Sequence, residues 1–458
     1  DIPVYIPHRV NEGYGLGRSA VNFIKENKID LVFTIDCGTN DNQFIRELRN
    51  EGIEVIVLDH HQPKEKENFS TFIINPKLEG SAYKFKDLAS AGVVFKFCQA
   101  LLDEPLYEEL DLVSLATVAD TMPLIKENRI IVKEGLKRFS DTKKEGLKAL
   151  IKIAGLEGRR LNSYFLGYIL APRLNASGRI HTAEVSLNLL LSKDSEQAYK
   201  LAEELKRLNY ERQKVENKAL EEAIELIERE VNFKQERVIV IAGDWHPGVI
   251  GIVASKIVDR YYRPAIVISL ERGVCRGSAR SIRDFHIFEA LLNCQDILDD
   301  FGGHSQAGGF TIQRDMIQEF RSKINTFAEN VLDFYNLIPQ IDIDLKLKFS
   351  DLNPKVIKEI DLLEPFGEGN PEPLFYTSQL KLKNSCQVLR RETLKFWVTD
   401  GMFVYPVIAF GMSDYKELLE KDNGYFSLIY TLDVDDWQED GPSSLILEAR
   451  RILFDYAF

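Results

Sequence analysis

One long charged stretch, residues 192–231, contains neither glycine nor proline. Its apolar residues recur at helical spacing and include Ala198, Leu201, Ala202, Leu205 and Leu208. This pattern predicts one or two long helices, capped either by Asp194 with Gln197 three residues on or by Ser192. A helix of about 35 residues runs about 50 Å, which suits a connector between two domains better than an element of one core.

The regions before and after this stretch both alternate β-rich runs with helical segments, which predicts two α/β units. In the first unit, which should contain a mostly parallel sheet, strands are predicted at Leu31–Ile35, Glu54–Leu58 and Phe72–Ile74. In the second unit, strands are predicted at residues 237–242, 265–269 and 273–279.

After Pro339 the pattern changes to successive strands with turn signals between them, which is typical of a small β-barrel. These strands are predicted at residues 341–347, 380–389, 394–398, 404–410, 426–432 and 445–452. The chain should therefore comprise an N-terminal α/β domain, a helical connector, a smaller α/β domain and a barrel, at residues 1–180, 181–235, 236–338 and 339–458.

Charge and cysteine content exclude several classes of protein. The net charge of −13 repels polyanions at long range, so any nucleic-acid site must be a local basic patch. The arginine-rich stretch 260–283 is either such a patch or an ordinary exposed surface. The five scattered cysteines suggest neither a disulfide framework nor a zinc site, and no apolar run is long enough for a membrane span. We therefore expect a soluble protein of the reducing cytoplasm.

Carboxylate and imidazole groups stand where the first sheet should present its ligands. Asp36 and Asp59-His60-His61 each follow a predicted strand, and Asp120 ends an apolar segment. A lone Asp in such a place is often a helix cap, but three adjacent metal-capable groups serve no packing purpose. Oxygen and imidazole ligands without thiolate favour a divalent ion, with Mn²⁺ preferred over Mg²⁺. Two ions would clamp a phosphodiester, with Asp36 as the bridging carboxylate.

The second α/β unit contains residues suited to binding anions. Ser278 and Arg280 share one face of a predicted strand, and Gly302 to Gly309 are small residues around His304. Arg173 and Arg179 are suited either to phosphate contacts or to ion pairs between domains. Trp245 is placed either to stack on a base or to pack in a core.

Several of these strings resemble those of a known superfamily. Asp36-Cys37-Gly38, Asp59-His60-His61 and Ala119-Asp120 resemble the later motifs of the DHH phosphoesterases, and residues 303–308 resemble the glycine–histidine signature of their DHHA1 partner domain. Four further stretches are similar to the RecJ-like exonucleases in particular, namely residues 5–9, 172–179, 243–251 and 363–371. Together these stretches are spread over nearly the whole chain.

The resemblance implies a DHH domain, a connecting helix, a DHHA1 domain and an OB-fold. It implies a 5′-to-3′ exonuclease that degrades single-stranded DNA in repair and recombination with Mn²⁺ or Mg²⁺. In that scheme Asp36 bridges two metal ions, His60 and Asp120 complete one coordination sphere, and His61 supports that sphere or the attacking water. The implied phosphate contacts are Arg9, Arg179, Ser278, Arg280 and His304, and the implied strand contacts in the barrel are Arg390, Phe396 and Trp397.

One departure and two alternatives accompany this expectation. The family's first motif, an acidic strand end with two further ligands, should precede Tyr5, so we expect the sequence to be a fragment of a longer chain. One alternative is a DHH oligonucleotide or cyclic-dinucleotide phosphodiesterase, a class that lacks the tail after Pro339. The other is a non-catalytic DNA-binding scaffold of replication. A single-strand-binding protein and a helicase are the candidate partners besides single-stranded DNA.

Overall fold

The structure is a computed structural model that describes residues 2–9, 12–63, 71–270, 275–390, 392–421, 424–435 and 444–454. It divides into two compact units, Asp1–Met122 with Lys126–Pro339 and Pro123–Ile125 with Gln340–Phe458. The finer domain boundaries predicted near residues 180, 235 and 338 stay predictions. Within the described ranges, none of the helices is both apolar enough and long enough to cross a membrane.

The first unit contains twelve helices and eight strands among its described residues. Its first half comprises α1 Arg18–Glu26, β1 Leu31–Ile35, α2 Asn42–Asn50, β2 Glu54–Leu58, β3 Phe72–Ile74, α3 Ser90–Leu102, α4 Leu110–Ala119, α5 Lys126–Ser140, α6 Glu145–Ile153, α7 Ala171–Ile180 and α8 Glu184–Leu191. Its second half comprises α9 Ser195–Glu230, β4 Ile239–Gly243, α10 Ile250–Tyr261, β5 Ala265–Ser269, β6 Cys275–Arg280, α11 Ile287–Leu292, β7 Asp300–Gly303, β8 Ala307–Ile312 and α12 Ile317–Val331.

The first sheet is parallel throughout, in the order β1-β2-β3, with the bounds that the sequence predicts. Val55 and Val57 of β2 are fully buried and pack with residues of α1 and α2. Because the strands run in one direction, their carboxyl ends meet at the same edge. The residues that follow them, Asp36, Asp59 and Asn75, therefore emerge side by side.

The predicted connector is one helix, α9, and Asp194 caps it by accepting a hydrogen bond of 2.7 Å from the backbone N–H of Gln197. Its first half packs with α6, α7 and α8 through residues such as Ala202 and Leu205. Its second half packs with β4 and α10 through residues such as Ala223 and Ile227. The helix therefore takes part in two cores rather than crossing solvent between them.

The second sheet has the order β4-β5-β6-β8-β7, in which β4 and β5 are parallel and the other pairs antiparallel. Strand β5 has its predicted bounds, while β4 begins two residues later than predicted, and residues 273 and 274 of the predicted third strand lie outside the described part. The glycine-rich segment around His304 includes parts of strands β7 and β8. Gly277 opposite them leaves space for the Phe310 ring, which a Cβ atom there would meet at 2.1 Å.

The second compact unit, Pro123–Ile125 with Gln340–Phe458, contains a β-barrel, as predicted. Its elements are β9 Leu345–Lys346, α13 Pro354–Asp361, β10 Phe375–Leu382, β11 Gln387–Val388, β12 Leu394–Thr399, β13 Val404–Ala409, α14 Tyr415–Lys421, β14 Phe426–Asp435 and β15 Ser444–Phe454. Strand order is β11-β12-β13-β15-β14-β10-β9, and an additional pairing of β10 with β12 closes the sheet around a core that includes Phe349, Phe396 and Tyr430. Strand β10 begins earlier than predicted, at Phe375.

Candidate metal centre and arginine cluster

Asp36 lies in the turn that follows β1. Its φ of +63° is a left-handed conformation that Asp tolerates better than most residues, and its backbone N–H donates to the Leu58 carbonyl at 3.0 Å. Gly38, with a φ of +107°, has no space for a side chain, since a Cβ atom would lie 2.4 Å from Thr34 Oγ1. This close turn directs Asp36 over the carboxyl edge of the sheet.

Asp59 is the residue that organises the Asp-His-His string. Its side chain is 1% exposed and accepts hydrogen bonds from the backbone N–H groups of Thr39 at 3.1 Å and His60 at 2.7 Å. It also lies 2.7 Å from Nδ1 of His61. Burial would raise the pKa of Asp59, but the hydrogen bonds from His61 and Thr39 outweigh it and hold that pKa far below its usual range. Asp59 thus orients His61 instead of facing the cluster itself.

His60 is buried and has its two ring nitrogens in different environments. Nδ1 lies 2.9 Å from the Leu88 carbonyl, which requires a donor and so favours the tautomer with the proton on Nδ1. Nε2 lies 3.4 Å from Asp36 Oδ1 and 3.4 Å from Asp120 Oδ2. The ligand atoms offered by Asp36, His60 and His61 all lie within 4.8 Å of one another. Three separate segments therefore converge on one point.

Asp120 reaches this point from the end of helix α4 and not from a strand. Burial and the nearby charge of Asp36 raise the pKa of Asp120, whereas in Asp36 the hydrogen bonds from His60 and Ser90 outweigh burial and lower the pKa. A divalent cation would relieve the repulsion between the two carboxylates. Carboxylate and imidazole donors fit Mn²⁺ or Mg²⁺, and burial raises the pKa of the neighbouring Cys37 to about 12, which keeps it a neutral thiol at ordinary pH.

Three residues of this centre were not predicted from the sequence. The Tyr14 hydroxyl donates to the backbone carbonyl of Asp36 and lies 3.4 Å from His61 Nε2. The Asn75 side chain donates at 2.9 Å to Thr39 Oγ1 and at 2.9 Å to the His61 carbonyl. Lys77 follows in the same loop, and its charge contributes to lowering the pKa of His304, after burial. Asn75 follows β3 just as Asp36 follows β1, so its position after a predicted strand could have indicated a site residue. No such pattern in the sequence indicates Tyr14.

His304 comes to the centre from the turn between β7 and β8. Its ring is stacked on that of His61, with centroids 6.3 Å apart and planes inclined by 16°. Burial first, and then the charges of Lys77 and His61, lower the pKa of His304. The second α/β region thus brings a histidine next to His61, while the phosphate contact expected for His304 stays a prediction.

Arginines from three segments lie near one another in the same unit. Burial and then the charges of Arg9, Arg212 and Arg280 lower the pKa of Arg179 to about 10. Burial and then Arg9 lower the pKa of Arg280, whose guanidinium lies 3.3 Å from Ser278 Oγ. Within the described part of the chain, neither Arg179 nor Arg280 forms a salt bridge with a carboxylate. We refer to Arg9, Arg179 and Arg280 as the arginine cluster.

The start of helix α10 closes in on this cluster. Arg179 donates to the Gly248 carbonyl at 3.2 Å. A Cβ atom on Gly251 would lie 3.0 Å from Ser278 Oγ and 3.1 Å from Arg280 Nη2, so the absence of a side chain leaves this space open. Guanidinium groups, a hydroxyl and the amino end of a helix together form surroundings that favour an anion.

The other residues singled out from the sequence have local contacts of their own. Arg173 donates to the Ile169 carbonyl of its own helical segment. The predicted base contact of Trp245 is wrong, because this side chain is 4% exposed in the core and its indole N–H donates to Glu222 at 2.9 Å. In the barrel the Phe396 side chain is likewise in the core and so cannot contact single-stranded DNA. Arg390 is exposed, and Trp397 is half-buried with the Lys395 ammonium over its ring.

Comparison with known families agrees with this architecture. The model of the DHH family, N-terminal domain, matches residues 1–117, that of the DHHA1 domain matches residues 235–330, and that of the RecJ OB domain matches residues 343–449. The chain is 38% identical over 450 residues to the single-stranded-DNA-specific exonuclease RecJ of Bacillus subtilis, which covers 98% of this chain and 57% of that protein. It is 34% identical over 476 residues to the enzyme of the same name from Salmonella typhimurium, which covers 98% of this chain and 82% of that protein.

Solved structures show the same likeness. The crystal structure of RecJ in complex with Mn²⁺ from Thermus thermophilus superposes with a TM-score of 0.83 at 30% sequence identity, covering 95% of this chain and 64% of that one. A structure of the same protein in complex with Mg²⁺ has a TM-score of 0.76, also at 30% identity, and covers 93% of this chain and 62% of that one. The chain thus spans somewhat more than half the length of its Bacillus and Thermus relatives, at 57% and 54%. On this sequence identity, coverage and domain order, the chain belongs to the RecJ family.

Proposed function

We propose that this chain is the core of a metal-dependent exonuclease that hydrolyses the phosphodiester bonds of single-stranded DNA from the 5′ end, in repair and recombination. The observation that carries the proposal is the convergence of Asp36, His60 and Asp120 on one point. The arginine cluster in the same unit adds a place for the substrate's phosphate groups. The RecJ name of the relatives supports the choice of single-stranded DNA as substrate.

In this proposal Asp36, His60 and Asp120 would hold Mn²⁺ or Mg²⁺. Bound divalent ions neutralise phosphate charge and lower the pKa of water. His60 offers Nε2 because its Nδ1 is directed to the Leu88 carbonyl. His61, held by Asp59, orients the attacking water or completes the site. The Mn²⁺ and Mg²⁺ complexes of the Thermus relative support this assignment.

Arg9, Arg179, Ser278 and Arg280 are proposed to hold the 5′-terminal phosphate, and His304 to contact the scissile one. The support is that these cations are brought together against their mutual repulsion without an ion pair for Arg179 or Arg280 in the described residues. Guanidinium forks match phosphate oxygens in geometry and charge. Fixing the terminal phosphate at a set distance from the metal centre would make cleavage start from one end. The 5′-to-3′ direction itself rests on the resemblance.

The barrel is proposed to bind single-stranded DNA as well. Trp397 and Lys395 pair an aromatic ring with a cation at 5.5 Å, a combination suited to stacking a base beside a phosphate. Arg390 is exposed and adds charge in the same unit. A barrel matched by the RecJ OB model favours long strands over the dinucleotides expected for a small DHH phosphodiesterase.

The test is a gel assay of this chain, and of the chain extended to the length of its relatives, on single strands labelled at either end. With Mn²⁺ present, we expect mononucleotides to be released from the 5′ end, and EDTA or Asp36→Ala to abolish the release. An absence of metal-dependent release in both forms would disprove the proposal. Faster turnover of dinucleotides than of long strands would favour the phosphodiesterase alternative, and unchanged activity of Asp36→Ala would favour the scaffold.

The proposal also covers the cellular location of the protein and its protein partners. Cytoplasmic location is supported by the cysteines, all five of which are free thiols. A single-strand-binding protein or a helicase is proposed as partner, on the resemblance alone. Co-purification of the extended protein with either one from cells checks that part separately.

A further inference from the structure

Two tyrosines protrude from the helical segment that leads to the arginine cluster. Residues 163–180 are continuously helical, with a π-helical stretch, Phe165–Leu170, followed by α7. Tyr164 and Tyr168 are 56% and 72% exposed, although most large aromatic side chains are at least partly covered. Their rings stack, with centroids 5.0 Å apart and planes inclined by 25°. A pair of rings in this arrangement presents a flat apolar face to solvent.

The opposite face of the same segment is part of the core. Leu166 and Leu170 are fully buried, and so is Ala176 further on. The two tyrosines therefore contribute little to packing. The π-helical stretch is itself uncommon and occurs often at functional sites.

The position of this segment connects it with both parts of the proposed active site. A Cβ atom on Gly167 would lie 3.2 Å from Val118, two residues before Asp120 of the metal centre. At its far end the same helix carries Arg179 of the arginine cluster. Tyr164, Tyr168, Pro172 and Arg179 recur at about helical spacing and so lie along one side. The length from Arg179 to the tyrosines is about 17 to 22 Å along the helix axis.

We infer that Tyr164 and Tyr168 form a stacking platform for bases of a single-stranded nucleic acid whose terminal phosphate lies in the arginine cluster. This inference rests on the proposed function and adds a subsite to it. Exposed aromatic rings bind bases irrespective of sequence, because every base has a flat π face. The occupant assigned is a nucleic acid and not a protein, because the same helical segment carries Arg179 of the arginine cluster and is preceded by Arg159 and Arg160, both exposed. Stacked nucleotides are about 3.4 Å apart, so about five to seven steps separate the two places and the platform should meet bases between about the sixth and the eighth from the 5′ end.

The binding test uses the chain with Tyr164→Ala and Tyr168→Ala together, in EDTA so that no hydrolysis occurs. Anisotropy of a labelled 5′-phosphorylated 15-mer should show affinity lowered by about tenfold or more. The dependence of affinity on salt should keep its slope, because stacking releases no counterions, whereas loss of an arginine contact lowers the slope by about 0.7. The pair Tyr164→Phe and Tyr168→Phe should bind like the unchanged chain.

Controls separate this effect from damage to the fold. Tyr107→Ala removes a tyrosine of equal exposure, 57%, elsewhere in the same unit and should leave the affinity unchanged. The double alanine variant should unfold at about the same temperature as the unchanged chain, because neither ring is in the core. If the double alanine variant unfolds at a lower temperature, the phenylalanine pair and the 2-aminopurine measurement still distinguish loss of stacking from damage to the fold.

The position-resolved measurement places 2-aminopurine at successive positions of the strand. Its fluorescence should be quenched by stacking between about the sixth and the eighth nucleotide when the strand binds the unchanged chain, and the quenching should be lost with the double alanine variant. Equal affinity and equal quenching in both proteins would overturn the inference even if the exonuclease activity is present. If the unchanged chain neither binds nor degrades the strand, the proposed function fails first, and that outcome is distinguishable.

Discussion

His60 Nε2 lies 3.4 Å from a carboxylate oxygen of Asp120, although the histidine follows a strand and the aspartate ends a helix. The same nitrogen lies 3.4 Å from Asp36. Two carboxylates near the same ring nitrogen repel each other, and after burial this repulsion is part of what raises the pKa of Asp120. The metal-free protein is therefore electrostatically strained at this point, and a cation would remove the strain.

Replacing Asp120 tests that relationship. We expect Asp120→Asn to weaken Mn²⁺ binding by at least about tenfold, because a ligand is lost. In EDTA the same variant should unfold at the same temperature or roughly 1 to 3 °C higher, because a repelling charge is gone. Calorimetric titration and thermal unfolding measure the two effects. Asp103→Asn, at an exposed left-handed position where Asn is equally suitable, is the control, and Mn²⁺ affinity equal to that of the control would contradict the assignment.

Replacing Asp59 should lower the stability of the fold, because this residue orients its neighbours instead of facing the cluster. In Asp59→Asn one side-chain oxygen becomes an NH₂ group that faces backbone N–H donors, since both oxygens now accept hydrogen bonds. We expect a loss of about 2 to 4 kcal/mol in the free energy of unfolding, measured by denaturant titration in EDTA. Asp194→Asn, where Asn serves equally as an N-cap, should change it by less than about 0.5 kcal/mol. A loss no larger than in that control would show that Asp59 is not an organising residue.

Arg280 should contribute to the binding of phosphate groups and not to the binding of metal ions. We expect Arg280→Ala to weaken binding of a 5′-phosphorylated oligonucleotide by about ten- to a hundredfold, because a charge-assisted contact is lost, and to leave Mn²⁺ affinity unchanged. Arg280→Lys should recover only part of the binding, since an ammonium group lacks the planar fork. Arg229→Ala, on an exposed helix end, serves as the control. Equal losses of metal and oligonucleotide binding would refute the assigned role.

Glu372 in the barrel should make stability depend on pH. Burial first, and then the charges of Glu448 and Asp433, raise the pKa of Glu372 to about 7 against the pull of Arg450. The folded state holds this proton more tightly than the unfolded chain, so stability falls as pH rises from about 4.5 to about 7 and stays lower above that range. The full shift corresponds to about 3 kcal/mol, which solvent screening reduces to about 1 to 2, because the side chain is 33% exposed.

Glu372→Gln cannot ionise and tests this prediction. The variant should be about 1 to 2 kcal/mol more stable than the unchanged chain at pH 8 and of similar stability at pH 4.5, as measured by urea unfolding of the barrel transition. Parallel stability curves for the two proteins between these pH values would show that the carboxyl group titrates normally.

Local patterns were sufficient to predict much of this protein. Strands β1, β2, β3 and β5 have the predicted bounds, since runs of β-branched and apolar residues between polar turns leave little choice of conformation. Helical spacing likewise predicted a long helical stretch at residues 192–231, but it left open whether there is one helix or two and whether Asp194 or Ser192 is the cap, which the structure answers with a single α9 capped by Asp194. Placement of Asp36 and His60 at one edge needed only the rule that parallel strands end together.

Other features depend on contacts between residues far apart in sequence, and only the tertiary structure decided them. Trp245 stands in a loop string yet packs in the core, and Asp120 joins His60 because α4 ends beside the sheet. His304 stacks on His61 from the turn of a hairpin in the second sheet. The amino-acid sequence by itself determined which side chains were suited to metal and phosphate, because that is a property of each residue. Their distances were decided by the packing of helices and sheets, which sums many weak contacts that no short segment contains.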